Sequence, residues 1–124
     1  MRNAFQSTKA IQGAAPISTL VEHQGIVYLS GVTALDPVTN ELKGDTVQQA
    51  EKSLCILKEI LESYGIGMED VLKVNIYLVD MEDFQQVNQV YAPYFTAPYP
   101  ARTCVQVAKL PMDARIEIEA VAAK

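Results

Sequence analysis

The sequence alternates between helical and strand patterns, and its small number of helices constrains the fold more than any other feature. In residues 46–64 apolar side chains recur every three or four positions up to Gly65, and residues 81–95 repeat that spacing. Five short stretches with strand patterns surround these two helices. Two helices cover only one face of a five-stranded sheet, so the sequence predicts an α+β fold with both helices on the same face.

The predicted strands are short and are separated by turn residues. They cover residues 19–23, 26–30, 71–79, 102–108 and 114–122. In the third of them, Leu72, Val74 and Ile76 alternate with Lys73 and Asn75, which is typical of a strand with one apolar side. The apolar side is the one that the helices should cover.

The other face of the predicted sheet is too mixed in character to be simply solvated. Its outward residues include Tyr77, Val121 and the row that contains Cys104. A second copy of the chain is the simplest cover for such a face, because most oligomers of soluble proteins are symmetric assemblies of one chain.

Composition argues against two classes of partner. The chain has 10 Lys and Arg against 15 Asp and Glu, a net charge of −5, with no basic cluster to bind a nucleic acid. It has no apolar stretch of signal-peptide or membrane-spanning length, which predicts a cytoplasmic protein that does not bind membranes. At 124 residues we expect one domain, residues 1–124.

Two cysteines and one histidine leave little material for a metal or disulfide site. Cys55 and Cys104 are far apart in sequence and are expected to be free thiols, with Cys55 in the core beneath the first helix. His23 is alone, so no zinc site is predicted.

The last two strands are predicted to pair as an antiparallel hairpin. With a four-residue turn, Thr103 and Val105 point into the helix-covered core, whereas Arg102 and Cys104 point to the open face. There Cys104 lies opposite Glu117, and directly paired side chains are about 5 Å apart. This register predicts a small pocket lined by a guanidinium, a thiol and a carboxylate.

A purely structural interpretation of the same residues is also open. Arg102 can form an ordinary ion pair with Glu119 across the predicted hairpin. Glu117 is then a solvated residue of an alternating strand, and Cys104 a small apolar filler. The pattern by itself does not decide between this interpretation and a functional pocket.

Several short motifs occur in an order and at separations that resemble those of one known family. They are PARTCV at 100–105, Leu110-Pro111, IEIEA at 116–120, Ser30-Gly31, Asp36-Pro37, DMEDF at 80–84, and Val87-Asn88 with Tyr91. Together they resemble the RidA/YjgF family of reactive intermediate deaminases, over a stretch from about residue 19 to the end.

The resemblance implies a fold, an assembly and an activity. The implied fold is a chorismate-mutase-like α+β domain that forms a homotrimer, with the open sheet faces packed into a central barrel and the sites between subunits. The implied activity is hydrolysis of 2-imino acids and their enamine tautomers, such as 2-iminopropanoate, 2-iminobutanoate and 2-aminoacrylate, to 2-keto acids and ammonia. It implies no cofactor and no metal.

The resemblance also implies roles for three catalytic residues. Arg102 has the planar, permanently charged group that binds a substrate carboxylate at two points. Glu117 is the candidate general base for the attacking water. Cys104 is expected to position the substrate rather than attack it, because no base lies next to it in the pattern.

Four further residues are implied in substrate binding: Ser30, Gly31, Asn88 and the residue at position 17. Family members commonly carry a tyrosine where this chain has Ile17, so the pocket should be more apolar and lack one hydroxyl. Two other functions remain open, a non-catalytic trimer that binds small carboxylates or acts as a chaperone, and an endoribonuclease that inhibits translation. The acidic charge argues against the second.

Overall fold

The structure is a computed structural model that describes residues 2–8 and 15–124. The regular elements of these described ranges are six β-strands in one sheet, two α-helices and short 3₁₀ turns. The predicted α+β class is confirmed. The first strand is not predicted from the sequence, because three residues are too few to show an alternating pattern. The bounds are β1 Asn3–Phe5, β2 Leu20–His23, β3 Ile26–Leu29, α1 Thr46–Ser63, β4 Val71–Leu78, α2 Phe84–Tyr91, β5 Ala101–Gln106 and β6 Ile116–Ala123.

Helix α1 begins and ends at residues suited to those positions. The Asp45 side chain accepts a hydrogen bond from the Gln48 N–H, and the Gln48 side chain accepts one from the Asp45 N–H, both at 2.9 Å. After the helix, Gly65 adopts a φ of +86° and its N–H donates to the Glu62 carbonyl at 3.0 Å. The predicted position of this helix and of its glycine cap is therefore confirmed.

Cys55 lies on the exposed side of α1, so its predicted place in the core is wrong. Successive residues of a helix differ by about 100° in direction, and the preceding Leu54 is fully buried, which turns Cys55 away from the core. Its thiol donates a hydrogen bond to Glu59 Oε1, one turn along the helix, at 3.3 Å.

The second helical pattern, residues 81–95, forms an α-helix only over Phe84–Tyr91. A 3₁₀ turn precedes it at Met81–Asp83 and another follows at Ala92–Tyr94. Pro93 has no backbone N–H to donate to the preceding turn, which explains why the regular helix ends there. Within the described ranges, neither α1 nor α2 is long and apolar enough to cross a membrane.

Strand β4 lies between the two C-terminal strands, so the predicted hairpin of β5 with β6 is wrong. The sheet order is β1-β2-β3-β6-β4-β5, and β4 pairs antiparallel with β6 and parallel with β5. The connection between β5 and β6 spans residues 107–115 and contains a 3₁₀ turn at Pro111–Asp113. It is longer than the usual hairpin loop of about two to five residues, which lets it cross the end of β4.

Both helices pack on one face of this sheet, as predicted. The core between them is contributed by alternate residues of β4 and β6 and by the inner side of α1. Its large, deeply buried members include Leu54, Leu57, Leu61, Val74, Ile76, Leu78, Ile116 and Ile118, each at most 1% exposed.

Leu72 departs from the predicted alternation of β4. It is 48% exposed, whereas Val71 is buried. A shift in the pairing register with β6 between Val71 and Lys73 causes this change, because one extra residue in a strand reverses the direction of the side chains before it.

The opposite face of the sheet carries Tyr77 and Val121, as predicted. Thr103 and Val105 also lie on this face, because they pair with Asn75 and Tyr77 of β4. Their predicted place in the helix-covered core is therefore wrong, and Val105 is 42% exposed. We refer to this side of the sheet as the open face.

Candidate functional site

Arg102 and Cys104 point toward the helices from β5, the strand at one edge of the sheet. Arg102 pairs with Val74 and Cys104 pairs with Ile76 in the parallel register of β5 with β4. Paired residues of neighbouring strands project to the same side, and Val74 and Ile76 are buried in the helix-covered core. The prediction that Arg102 and Cys104 lie on the open face is therefore wrong.

Glu117 lies on the open face. It pairs with Tyr77 across the antiparallel contact of β6 with β4. The sheet thus separates Glu117 from Arg102 and Cys104, and the pocket that these three were predicted to share within one chain does not form. The cause is β4, which pairs with both strands and fixes the two sets of side chains on opposite sides.

The ion pair of the structural interpretation, Arg102 with Glu119, is also absent from the described residues. Glu119 lies on the open face, where its Oε1 accepts a hydrogen bond from Asn75 Nδ2 at 3.1 Å and another from the Tyr77 hydroxyl. This hydrogen bond raises the pKa of Tyr77. Glu119 is therefore satisfied without a cation.

The Arg102 guanidinium lies over two aromatic rings of α2. Its Cζ is 4.8 Å from the centroid of Tyr91 and 5.6 Å from that of Phe84. None of the ion pairs among the described residues includes Arg102, and its side chain is half-buried. A cation held in this way keeps its N–H donors for an anionic ligand.

Cys104 lies two residues after Arg102 on β5 and is half-buried against the core. Burial raises the pKa of its thiol, and the charge of Arg102 only partly opposes this effect. The thiol is therefore protonated near neutral pH and is a poor nucleophile. This agrees with a positioning role rather than covalent attack.

Asn88 lies on the same side of α2 as Phe84 and Tyr91, because residues four and seven positions after Phe84 share one face of a helix. Its Oδ1 and the Tyr91 hydroxyl are buried and have no hydrogen-bond partner among the described residues. The motifs in the sequence imply Asn88 as a site residue, but they do not single out Phe84 and Tyr91. Their spacing at residues 84, 88 and 91 was the available signal.

On the open face, Gly31 lies against Glu117. A Cβ atom built on Gly31 would be 2.5 Å from Glu117 Oε2 and 2.8 Å from its Cδ, so a larger residue would displace the carboxylate. Burial, and secondarily the charge of Glu119, raise the pKa of Glu117. A carboxylate whose pKa is raised toward neutrality is a better general base than an ordinary one.

Ser30 precedes Gly31 in the chain and forms hydrogen bonds with the backbone just after Ile17. The Ser30 hydroxyl donates to the Ser18 carbonyl at 2.7 Å, and the Ser30 N–H donates to the Thr19 carbonyl at 3.0 Å. Ile17 is 64% exposed. Ser30 therefore holds residues 17–19 close to Gly31, the next residue in the chain.

The predicted site residues line neither of two sizeable clefts formed by the described residues. A cleft of about 690 Å³ lies between α1 and α2 and is lined mainly by charged and polar side chains, including Glu51, Lys58 and Glu62. Another of about 540 Å³ lies beside residues 34–52 and is bordered by Asp36 and Lys52. The candidate residues form two groups instead, here called the two half-sites: Arg102, Cys104 and Asn88 on the helix side of the sheet, and Glu117 with Gly31 on the open face.

Comparison with known proteins places this arrangement in a family. Residues 7–124 match the family model described as Endoribonuclease L-PSP. A RutC family protein of Pyrococcus horikoshii is 40% identical over 125 residues, which cover 100% of this chain and 99% of that protein. The 2-iminobutanoate/2-iminopropanoate deaminase of Mus musculus is 40% identical over 98% of this chain and 91% of its own length.

A solved structure has the same fold. The crystal structure of Escherichia coli TdcF with bound serine superimposes with a TM-score of 0.92 at 34% identity, covering 98% of each chain. The family match over residues 7–124 and these relatives lead to one conclusion: the chain belongs to the RidA/YjgF family.

Proposed function

We propose that this chain hydrolyses reactive 2-imino acids, and their enamine tautomers, to 2-keto acids and ammonia. The substrates we propose are small, with 2-iminopropanoate and 2-iminobutanoate as the first candidates. The name of the mouse relative supports this choice of reaction. We treat the whole chain as one domain that carries the activity.

The observation that carries the proposal is the state of Arg102. Its guanidinium is half-buried and lies over two aromatic rings, without an ion-pair partner among the described residues. Leaving a cation in such a place is costly unless an anion binds it. The carboxylate of a 2-imino acid has the charge and the planar geometry to form two parallel hydrogen bonds with it.

Glu117 supplies the base in this proposal. It takes a proton from water while the oxygen of that water bonds to the imine carbon, and it returns this proton to the nitrogen to give a carbinolamine. Glu117 then transfers the hydroxyl proton of the carbinolamine to the nitrogen, so that the carbon–nitrogen bond breaks, ammonia leaves and the carbonyl of the keto acid forms. Cys104 and Asn88 position the substrate next to Arg102, and Ser30, Gly31 and Ile17 border the water side.

The separation of the two half-sites requires a second copy of the chain. Arg102 and Glu117 lie on opposite faces of one sheet, so a single chain does not bring them to one substrate. We propose a homotrimer in which the open faces form a central barrel and the Arg102 half-site of one subunit meets the Glu117 half-site of its neighbour. The mixed apolar and polar character of the open face supports this packing.

A coupled assay tests the reaction. The protein is incubated with 2-aminoacrylate generated in situ, and ammonia and keto acid are measured against a buffer control. We expect faster release with wild type than with Arg102→Ala. Equal rates would contradict the proposal.

Two parallel measurements separate the other functions and the assembly. Binding of serine without turnover of any imine would favour a carboxylate-binding protein, a role suggested by the ligand of the TdcF structure. Cleavage of RNA would favour the endoribonuclease, although a net charge of −5 disfavours RNA binding. Light scattering that gives the mass of one 13.6 kDa chain would contradict the trimer.

A further inference from the structure

Two aromatic residues of α2 hold the guanidinium that the proposed reaction uses. We propose that the rings of Phe84 and Tyr91, here called the aromatic clamp, position Arg102 for the substrate carboxylate. This inference rests on the proposed function and adds two positioning residues to it. Neither ring needs to touch the substrate.

The geometry of the clamp is built into one helix. Phe84 and Tyr91 are the first and last residues of α2 and lie on the same side of it, seven positions apart. Tyr91 is 6% exposed and packs in turn against Phe95, with ring centroids 4.6 Å apart. The ring under the guanidinium is therefore itself held by the core.

The aromatic clamp leaves the N–H donors of Arg102 available for the substrate carboxylate, whereas an acidic side chain in the same place would occupy some of them. A carboxylate from the same chain would occupy two of the five N–H donors of the guanidinium. The face of a ring attracts the positive charge but accepts no ordinary hydrogen bond from these donors. Holding the side chain in place beforehand also lowers the entropy lost when the substrate binds. The clamp thus combines an ordered cation with unoccupied donors.

The kinetic signature follows from the charge of the substrate. The carboxylate keeps its charge from the ground state to the transition state, so an interaction with it contributes nearly equally to both. Loss of such uniform binding raises KM and changes kcat less. A general disturbance of the fold would instead lower activity together with stability.

The experiment compares substitutions that remove or keep a ring. We expect Phe84→Leu and Tyr91→Leu to raise KM about fivefold to tenfold, the loss that corresponds to a partly desolvated cation–π contact, with a smaller fall in kcat. Tyr91→Phe keeps the ring and should restore most of the binding that Tyr91→Leu loses. Phe5→Leu is the matched control, because Phe5 packs on Tyr64 at a centroid distance of 5.0 Å and makes no ring contact with Arg102.

Two further readouts keep the clamp testable without turnover. Calorimetry with 2-oxobutanoate should show weaker binding in both Leu variants. In proton NMR spectra, ring currents should shift the Arg102 δ-methylene signals upfield in wild type, and the shift should shrink in each Leu variant. The signals are assigned by their loss in Arg102→Lys.

The outcomes separate the clamp from the proposed function. Weaker 2-oxobutanoate binding in the Leu variants, with no imine hydrolysis by wild type, would support the clamp and contradict the deaminase. Leu variants with wild-type KM and wild-type 2-oxobutanoate affinity would overturn the clamp. A loss of 2-oxobutanoate affinity in Tyr91→Phe equal to that in Tyr91→Leu would also overturn the clamp, since the hydroxyl and not the ring would then be required.

Discussion

The two half-sites of this chain differ in charge, in neighbours and in the face of the sheet they occupy. Around Arg102 a cation lies over aromatic rings beside the helices, whereas around Glu117 a carboxylate with a raised pKa lies on the open face. Neither forms an ion pair with a described residue. In the proposed function, the substrate carboxylate supplies the partner of Arg102, and a second copy of the chain brings Glu117 to the same substrate.

Removing the carboxylate from the open-face half-site should have the largest effect. We expect Glu117→Gln to lower kcat by about a hundredfold to ten-thousandfold with little change in KM, because it removes the base but keeps the shape. In wild type, kcat should fall as the pH drops through the pKa of Glu117, at a higher pH than for an ordinary carboxyl. Stopped assays across pH 4 to 8 check both, and an acid limb that persists in Glu117→Gln would contradict the assignment.

Removing the cation from the helix-side half-site should have the next largest effect. We expect Arg102→Ala to lower kcat/KM by about a hundredfold while the assembly persists, because a charged partner of the substrate is lost. Arg102→Lys should recover only part of this, since an ammonium lacks the planar two-point contact. Initial rates and light scattering are measured on both, with exposed Arg2→Ala as the matched control. Full activity in Arg102→Lys, or loss of the assembly in Arg102→Ala, would rule out the carboxylate-anchor role.

These two residues also show how much the sequence predicts and where it stops. The 3.6-residue period and the caps identify α1, and alternation identifies the inner sides of β4 and β6. The alternation of side chains along a strand predicts that Arg102 and Cys104 share one face of the sheet. It does not predict which face, because that depends on the strand with which β5 pairs. Pairing with β4 rather than β6 is a long-range choice that the local pattern does not contain.

The family resemblance contributes what the local pattern does not, namely which residues could act together. It implies that Arg102 and Glu117 belong to one site, although their geometry cannot be read from the motifs. The residues it omitted as site residues, Phe84 and Tyr91, were present in its motifs and became meaningful only once β5 was placed beneath α2. The predictions for Leu72 and Cys55 are wrong for local reasons. Leu72 lies at a shift in the register of β4 with β6, and Cys55 is rotated by about 100° from the buried Leu54 on α1.

A smaller effect is expected from crowding the open-face half-site. Gly31→Ala puts a methyl group 2.5 Å from Glu117 Oε2, so the carboxylate must move, and we expect a loss of about tenfold in kcat from the misplaced base. The control is the double variant Gly31→Ala with Glu117→Gln, in which the added methyl should cost almost nothing. Additive losses in the double variant would mean that Gly31 acts through something other than Glu117.

The smallest expected effect comes from Ile17. Ile17→Tyr adds a hydroxyl donor at an exposed position, and we expect about a threefold rise in kcat for 2-iminopropanoate, in keeping with one additional hydrogen bond. Ile17→Phe adds the ring alone and should leave the rate near that of wild type. Equal rates for the Tyr and Phe variants would show that the hydroxyl plays no part.

The central claim is that Arg102 of one copy and Glu117 of another complete a single site, and mixing two variants of low activity tests it most directly. Arg102→Ala and Glu117→Gln are unfolded together in equal amounts, refolded and assayed against each variant refolded alone. Random association in a closed ring pairs an intact Arg102 with a neighbouring intact Glu117 at about one interface in four, so we predict about a quarter of wild-type activity. Activity no higher than that of the separate variants, with mixed oligomers confirmed by mass spectrometry, would contradict the shared site.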